Sequence, residues 1–341
     1  MWQSLGMLID TSLPTDLNKA PARAKEAEDA GYDAVWTAET SHDPFFPLAV
    51  AAPATESITL GTSIAVAFAR NPMLLANIGW DLNAASNGRF VLGLGSQIKP
   101  HITKRFSMEW SKPAARMREM ILATRAIWNT WETGEKLEFR GDFYTHTIMT
   151  PFFDPGPNPA GVPRVFLAGV GPLMTAVAGE VCDGFFAHPF TTPAFLAEVT
   201  IPALDAGRAK GEQSADDFEV ALPAFVVTGA NEEEMAASAK AVKGQISFYG
   251  STPAYRPVLE HHGWGDLQTE LNAMSKRGEW AEMAELIDDD ILNTFAVVSE
   301  PDGVAAELKL RFGSTVDRLS FNTMGTTDPE LFAPIIAELK A

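Results

Sequence analysis

Three side chains that follow predicted strands could exchange protons with a substrate: Glu39, His42 and His188. A carboxylate or an imidazole held beside a reacting atom is the usual general acid or base of an enzyme. Each of the three also has a plain structural alternative. Glu39 could bond nearby backbone, and His42 could be a surface histidine bonded to Asp43. His188, which precedes Pro189, could only shape a pocket wall.

A glycine-containing strand is followed by groups that suit a phosphate. Residues 90–94 form an apolar run that is too short for a helix, so they predict a buried strand. Gly93 and Gly95 lie on one face of that strand, and we interpret them as leaving the face open for a ligand to approach the backbone. Ser96 and Gln97 then offer a hydroxyl and an amide beside free backbone N–H groups.

The segment after this strand reverses the sign of the local charge. Against one acid, Glu109, residues 99–118 contain six basic side chains, with His101 among them. The six are Lys99, Lys104, Arg105, Lys112, Arg116 and Arg118. In a chain of net charge −18 this basic segment favours a bound polyanion, although a solvated helix face would be equally expected from these residues alone.

Gly169 and Gly171, between a predicted strand and a predicted helix, form a second candidate phosphate site. The beginning of a helix presents unpaired N–H groups to an anion. Neither this glycine pair nor the earlier one has the third glycine of a dinucleotide fingerprint, so a Rossmann fold is disfavoured. Two such pairs at neighbouring strand ends, one of them followed by cations, favour a phosphorylated cofactor.

These candidate residues stand at the ends of short strands that alternate with helices. Eight strands are predicted, at residues 5–9, 32–39, 58–66, 90–96, 164–168, 183–187, 218–227 and 317–322. Parallel strands with helical crossovers form either a doubly wound sheet or a closed barrel, and eight units in one domain favour a (β/α)8 TIM barrel. In such barrels the chemistry takes place at the C-terminal ends of the strands.

The length of the chain leaves room for an insertion. A minimal barrel needs roughly 250 residues, and this chain has 341. We therefore expect one TIM-barrel domain over residues 1–341, with a helical insertion at residues 244–292 that packs over the barrel mouth as a lid. That stretch is rich in aromatic and charged residues and has no strand pattern.

Composition excludes several classes of protein. The sequence has no apolar run of 18 residues and no basic N-terminal leader, which argues against a membrane span or a signal peptide. One cysteine, Cys182, rules out an internal disulfide and fits a reducing cytoplasm. The acidic balance disfavours nucleic acid and anionic membranes as partners. The pair His261-His262 has no further ligand at metal-binding spacing, so no metal is expected.

Several segments together resemble the bacterial luciferase-like monooxygenase superfamily: residues 58–66, 70–72, 88–95, 168–172 and 182–185. More narrowly, residues 39–44 and 94–101 resemble its deazaflavin-dependent branch, which uses coenzyme F420. The similarity covers essentially the whole chain in one order. It implies a TIM barrel with insertions, and it implies a homodimer because the family is usually dimeric.

The resemblance also implies where the cofactor binds. It places the deazaflavin phosphate and tail against two strand ends, and it places the basic segment against the carboxylates of a polyglutamate tail, which flavin mononucleotide would not require. It further implies a cis peptide between Ser63 and Ile64, behind the ring. The expected cofactor contacts are Thr40, Ser63, Ile64, Ala65, Gly95, Ser96, Gln97, Ile98, Lys99, His101, Lys104, Arg105, Ala168, Gly169, Val170 and Gly171.

Two departures from the family's sugar-phosphate dehydrogenases bear on the substrate. Where those enzymes have an Asp-His pair this chain has Glu39-Thr40, and Ile98 stands where they have a glutamate. Both departures argue against glucose 6-phosphate and leave the cofactor assignment unchanged. We expect hydride transfer between F420 and a hydrophobic carbonyl, alcohol or activated alkene. The alternatives are a two-component monooxygenase that uses reduced flavin mononucleotide, a non-catalytic cofactor-binding barrel, and a cofactor-free barrel lyase.

Overall fold

Eight parallel strands close into a barrel in the computed structural model, which describes residues 6–211, 217–324 and 328–341. The strands are Leu8–Ser12, Ala34–Thr37, Thr59–Thr62, Phe90–Gly95, Arg164–Ala168, Gly184–Phe186, Glu219–Val227 and Arg318–Asn322. Each strand pairs with the next along the chain, and the eighth pairs with the first, with Leu8 opposite Arg318. The predicted (β/α)8 TIM barrel is therefore confirmed.

Helices connect the strands around the outside of the barrel. They are Ala20–Asp29, Phe45–Ala51, Pro72–Ala85, Pro113–Thr133, Pro172–Val181, Pro193–Phe195, Ile201–Arg208, Glu232–Gly250, Arg256–His261, Gly265–Arg277, Trp280–Glu285, Asp289–Phe295, Pro301–Phe312 and Pro329–Lys340. In the described part of the chain, no helix combines the length and the apolar character that crossing a membrane requires.

Local sequence signals explain where the long helices begin and what they bury. The helix Pro72–Ala85 begins after Asn71, whose side chain accepts the Leu74 N–H at 3.0 Å as an N-cap. The helix Pro113–Thr133 buries the apolar stripe that its spacing predicts. Within that stripe the Trp128 indole N–H donates to the Ala76 carbonyl at 3.0 Å, which joins two neighbouring outer helices.

The first and third predicted strands differ most from the observed ones. The first strand begins at Leu8 rather than at residue 5, which lies outside the described residues. The third predicted strand, residues 58–66, is interrupted: Thr59–Thr62 belongs to the barrel, and Ala65–Val66 pairs instead with Leu94 and Gly95. The interruption between them is the peptide bond that the resemblance predicted to be cis.

Three further strands had not been predicted. Ala296–Val298 pairs with the end of the seventh barrel strand, and Phe139–Arg140 forms a hairpin with Thr145–His146. The apolar run at residues 296–298 follows directly on the helix Asp289–Phe295 with no glycine or proline between them, so the sequence shows no boundary there.

Helices between residues 232 and 295, which we call the helical cover, form a second hydrophobic cluster of their own. The cluster includes Phe190, which follows the sixth barrel strand, and Phe225, near the end of the seventh, so the cover packs on that side of the barrel mouth. The helix Glu232–Gly250 runs through Gly244 without a break. The helical block therefore begins before the residue at which the insertion was predicted to start.

Candidate active site

A cavity of about 400 Å³ opens at the C-terminal end of the barrel. Its lining residues belong to six of the eight strands or to the loops that follow them, and they include Ser12, Thr40, Ser63, Phe186 and Ser320. This is the end of the barrel at which TIM-barrel enzymes carry out their chemistry, and the volume is in the range of small-molecule sites.

A buried ion pair that the sequence reasoning missed lines the cavity. Asp10, which is 2% exposed, accepts hydrogen bonds from the Arg318 guanidinium at 2.8 and 2.9 Å and from the Trp36 indole N–H at 2.9 Å. Arg318 also donates to Glu219 at 3.1 Å. Burial raises the pKa of the Asp10 carboxyl, and Arg318 opposes that shift. The sequence offered one weak signal for this pair: Asp10 directly follows a predicted strand, and Arg318 lies within another.

The peptide bond between Ser63 and Ile64 is cis, as predicted. Two backbone hydrogen bonds hold the chain on either side of it: the Ser63 N–H donates to Thr37 O at 2.7 Å, and the Glu39 N–H donates to Ile64 O at 3.1 Å. Ser63 lines the cavity together with Thr40, and Ala65, one residue further on, is fully buried. The bulge therefore forms part of the cavity wall.

The interpretation that Gly93 and Gly95 leave a strand face open for a ligand was wrong. A Cβ built at Gly93 would lie 1.7 Å from the Thr62 carbonyl oxygen, and one at Gly95 would lie 2.8 Å from Ile64 Cγ1. The face that these glycines leave bare is thus occupied by the neighbouring third strand. They permit close packing of two strands, and they do not leave space for a ligand.

The loop after the fourth strand uses some of its own polar groups. Gln97 has a left-handed φ of 58°, and its side-chain oxygen accepts the Ile98 N–H at 3.1 Å. The Ser96 hydroxyl donates to Gln97 O at 3.1 Å. One of the N–H groups expected to meet a phosphate is therefore already bonded, and the exposed Ile98 adds an apolar surface beside it.

The second glycine pair adjoins Ala168, the last residue of the fifth strand, and only one of its members faces open space. A Cβ at Gly169 would lie 3.0 Å from Met174, whereas one at Gly171 would meet nothing within 4 Å. Gly171 has a φ of 83°, which favours glycine, and it directly precedes the helix Pro172–Val181. Val170 and Gly171 are exposed, so this helix beginning is accessible to an anion.

Part of the basic segment, His101–Arg105, forms one turn of π-helix. Lys99, His101 and Lys104 are exposed and form no ion pair with any residue in the described ranges. Arg105 donates to the carbonyl oxygen of Thr40, so the turn adjoins the cavity wall. Arg105 thus brings this turn beside the cavity, and the other three side chains are close to it in sequence.

The remaining arginines of that segment bond elsewhere. Arg116 donates to Tyr144 Oη at 2.9 Å and to Glu109 O at 2.7 Å, and Arg118 pairs with Glu180 at 2.7 Å. Both lie on the helix Pro113–Thr133 and serve packing between outer elements. Arg116 and Arg118 are therefore engaged elsewhere, and fewer than six cations remain for the polyanion that we expected.

Glu39 is held by Arg70 in the loop after the second strand. One of its carboxylate oxygens accepts the Val66 N–H at 2.7 Å and also bonds Arg70, whose other terminal nitrogen lies 2.9 Å from Asp43. This arrangement matches the structural alternative for Glu39. It also leaves Asp43 paired with Arg70, so His42, which is exposed, is not bonded to Asp43.

His188 is largely buried and contacts the helical cover. Its Nδ1 accepts the Phe190 N–H at 3.1 Å, and its Nε2 lies 2.9 Å from Tyr255 Oη. Burial lowers the pKa of His188 to about 4, so the ring is neutral at neutral pH. His261 and His262 lie further out on the cover, where they contact Glu198 and Thr192 respectively.

Comparison with known proteins begins with the luciferase-like monooxygenase family, whose model matches residues 4–318. An uncharacterized protein of Mycobacterium tuberculosis H37Rv is 54% identical over 91% of this chain and 92% of its own length. A 5,10-methylenetetrahydromethanopterin reductase of Archaeoglobus fulgidus is 28% identical over 82% of each chain. An F420-dependent glucose-6-phosphate dehydrogenase of Intrasporangium calvum is 31% identical over 57% of this chain and 60% of its own.

Solved structures share the whole fold. The coenzyme F420-dependent tetrahydromethanopterin reductase of Methanopyrus kandleri superposes with a TM-score of 0.77 at 20% identity, over 98% of this chain and 97% of that one. An F420-dependent secondary alcohol dehydrogenase superposes with a TM-score of 0.73 at 17% identity, over 98% of this chain and 99% of that one. An EDTA monooxygenase of Chelativorans superposes with a TM-score of 0.69 at 17% identity, over 98% of this chain and 93% of that one. At these identities the likeness establishes the barrel fold.

Proposed function

Because the chain belongs to the luciferase-like monooxygenase family, we propose that it is an oxidoreductase that exchanges a hydride between coenzyme F420 and an organic substrate. The observation that carries the proposal is the position of the basic turn His101–Arg105 beside the cavity wall. Two relatives named for F420 or for methylenetetrahydromethanopterin reduction support it. When bound, the deazaflavin would supply the hydride carrier.

The donor set fits the anionic part of this coenzyme. Lys99, His101 and Lys104 are exposed side chains without ion-pair partners in the described ranges, and the neighbouring Arg105 contacts Thr40 of the cavity wall. Cations in this arrangement suit the several carboxylates of a polyglutamate tail. The accessible helix beginning after Gly171 suits the phosphate.

The cavity fits the ring and a small substrate beside it. The bulge at Ser63 forms part of its wall, and Trp36 and Phe186 give it an apolar side. Eight of its lining residues carry hydroxyl or ionic groups, which fix orientation in an otherwise apolar site: Asp10, Thr11, Ser12, Thr15, Thr40, Ser63, Arg318 and Ser320. The helical cover acts as the lid over this site. We propose an alcohol, a carbonyl compound or an activated alkene with an apolar body as the substrate.

The three acid/base candidates take different roles in this proposal. Glu39 anchors the loop through Arg70, and His188 contacts the cover. His42 is exposed and lies two residues beyond Thr40, which lines the cavity. His42 is therefore the candidate of the three that is free to exchange a proton with a bound substrate.

Paired lysine variants test the proposed tail site. The double variant Lys99→Ala/Lys104→Ala removes two unpaired cations, so affinity for F420 should fall at least tenfold and should depend less on salt, because screened attraction is lost. The control is Lys136→Ala, which removes an exposed lysine paired with Glu138 beyond the other end of the helix Pro113–Thr133. It should bind F420 as the wild type does.

Fluorescence quenching of the deazaflavin measures all three affinities. Unchanged binding by the double variant would contradict the tail site. Tighter binding of flavin mononucleotide than of F420 by the wild type would support the two-component monooxygenase, and one of the superposed structures is a monooxygenase.

A further inference from the structure

The mouth of the barrel carries a hydrogen-bonded pair made of one barrel residue and one residue of the helical cover. His188 follows the sixth barrel strand, and Tyr255 ends the short helical turn Pro253–Tyr255 of the cover. Tyr255 Oη lies 2.9 Å from His188 Nε2, and the two rings stack with centroids 4.4 Å apart. The hydroxyl of Tyr255 is thus held at the barrel by a histidine rather than left to solvent.

The partners of His188 determine which atoms carry the hydrogens. The backbone N–H of Phe190 can only donate, so His188 Nδ1, 3.1 Å away, is the acceptor. The hydrogen of the neutral imidazole is therefore on Nε2, which donates to Tyr255 Oη. The hydroxyl hydrogen of Tyr255 consequently has no acceptor among the residues that the structure describes.

Burial keeps this pattern of hydrogens constant around neutral pH. It lowers the pKa of His188 to about 4 and raises that of Tyr255 to about 12. Neither group therefore carries a charge when the enzyme works near neutral pH. The Tyr255 hydroxyl acts as a neutral hydrogen-bond donor whose orientation is set by His188.

Strand alternation relates His188 to the cavity. Phe186 lines the cavity, and the Ala187 N–H still bonds Ala221 O at 2.8 Å, so the chain remains extended beyond the sixth strand. Because side chains two residues apart in an extended chain share a face, His188 lies on the same face as Phe186. Tyr255 therefore bonds a residue that stands two positions beyond the cavity-lining Phe186.

We propose that Tyr255 donates a hydrogen bond to the oxygen atom of an alcohol or carbonyl substrate and that His188 positions its hydroxyl. The inference rests on the proposed function, because a substrate bound in the barrel cavity is what would meet this hydroxyl. It narrows the substrate class to molecules with a hydroxyl or carbonyl oxygen on an apolar body. The rings of Phe190 and Tyr249, with centroids 5.7 and 6.0 Å from that of Tyr255, supply the apolar surroundings.

A redox-inert carbonyl compound, isobutyramide, tests the donor directly. Its dissociation constant is measured by saturation-transfer NMR with the protein alone and with F420 present. Tyr255→Phe keeps the stacked ring and removes only the hydroxyl, so binding should weaken roughly three- to tenfold. The matched control is Tyr144→Phe, because the Tyr144 hydroxyl bonds Arg116 of an outer helix instead of His188. It should bind the probe as the wild type does.

Two histidine variants test the positioning role. His188→Gln keeps a side-chain N–H that can reach Tyr255 and should retain most of the affinity, whereas His188→Leu should lose as much as Tyr255→Phe. Thermal unfolding confirms that each variant is folded. Equal loss by both histidine variants would contradict positioning. Equal binding by the wild type and Tyr255→Phe, or no saturable binding by the wild type, would overturn the inference.

Failure of the inference and failure of the proposed function are distinguishable. Coenzyme binding is measured separately by quenching of deazaflavin fluorescence, which Tyr255→Phe should leave unchanged. A wild-type protein that does not bind F420 contradicts the proposed function. If the wild type binds F420 and Tyr255→Phe binds isobutyramide as tightly as the wild type does, only the inference is contradicted.

Discussion

Arg318 binds both carboxylate oxygens of Asp10 inside the barrel, at 2.8 and 2.9 Å, although the two residues are 308 positions apart in the sequence. Both residues also line the cavity. The pair gives that part of the cavity a polar surface whose charges are already balanced. A neutral polar edge of a ligand can therefore meet it without bringing a counter-ion.

Asp10→Asn should destabilise the protein strongly. The substitution leaves the buried Arg318 with Glu219 as its remaining carboxylate partner, and breaking a buried pair costs about 3–5 kcal/mol. We expect the free energy of unfolding in guanidinium chloride to fall by about 3 kcal/mol. The control is Asp16→Asn, which removes an exposed pair with Lys19 and should cost less than about 1 kcal/mol. Similar losses for both variants would contradict the assignment.

Glu39 and Arg70 should be energetically coupled. If Glu39 acts as a loop anchor, Glu39→Gln and Arg70→Met should each lower the unfolding free energy, and a double-mutant cycle should give a coupling of about 1–3 kcal/mol. Denaturant unfolding of the two single variants and the double variant measures it. Additive effects, combined with a loss of turnover in Glu39→Gln alone, would favour a catalytic Glu39.

Gly93→Ala should destabilise the protein, whereas Gly244→Ala should stabilise it. The new methyl group at residue 93 would lie 1.7 Å from the Thr62 carbonyl oxygen, so the third and fourth strands must separate, at a cost of at least about 1–3 kcal/mol. Gly244, inside the helix Glu232–Gly250, has no atom within 4 Å of a built Cβ. Gly244→Ala should therefore stabilise the protein by about 0.5–1 kcal/mol.

Thermal and denaturant unfolding of both alanine variants measures this contrast. Equal stability of the Gly93 variant and the wild type would mean that the two strands are not in contact at this point. It would favour the interpretation that Gly93 leaves the strand face open for a ligand.

His188 should make stability depend on pH. Its pKa of about 4 in the folded protein is below the ordinary value of 6.5, so the unfolded chain binds the proton more readily. The contribution of the neutral ring is complete above pH 6.5 and is lost as the pH falls towards 4. Over that interval it amounts to on the order of 3 kcal/mol. Unfolding free energies of the wild type and His188→Gln, compared from pH 7 to pH 4, should converge by that amount. A constant difference would contradict the burial of His188.

The barrel could be predicted from sequence because its signals are local. Period-two apolar runs, glycines at helix ends and caps such as Asn71 each depend on residues a few positions apart. The cis bond between Ser63 and Ile64 came from a different source, the resemblance to a known family, and no local pattern in the chain would indicate it.

What could not be predicted depends on contacts between distant segments. The partner of Asp10 is determined by closure of the barrel, and the partner of His188 by packing of the helical cover, so Tyr255 drew no attention. A glycine in the sequence shows that a side chain is missing, but it does not show what fills the space. For Gly93 the space is filled by the carbonyl of Thr62.

The central claim, that the cavity and the basic turn bind coenzyme F420, is tested most directly by one titration. The purified protein is titrated with F420 and, in parallel, with flavin mononucleotide, and binding is followed by the quenching of cofactor fluorescence. We predict saturable binding of F420 at least tenfold tighter than that of flavin mononucleotide, with an affinity that falls as salt rises. Equal or tighter binding of flavin mononucleotide, or no saturable binding of F420, would contradict the account.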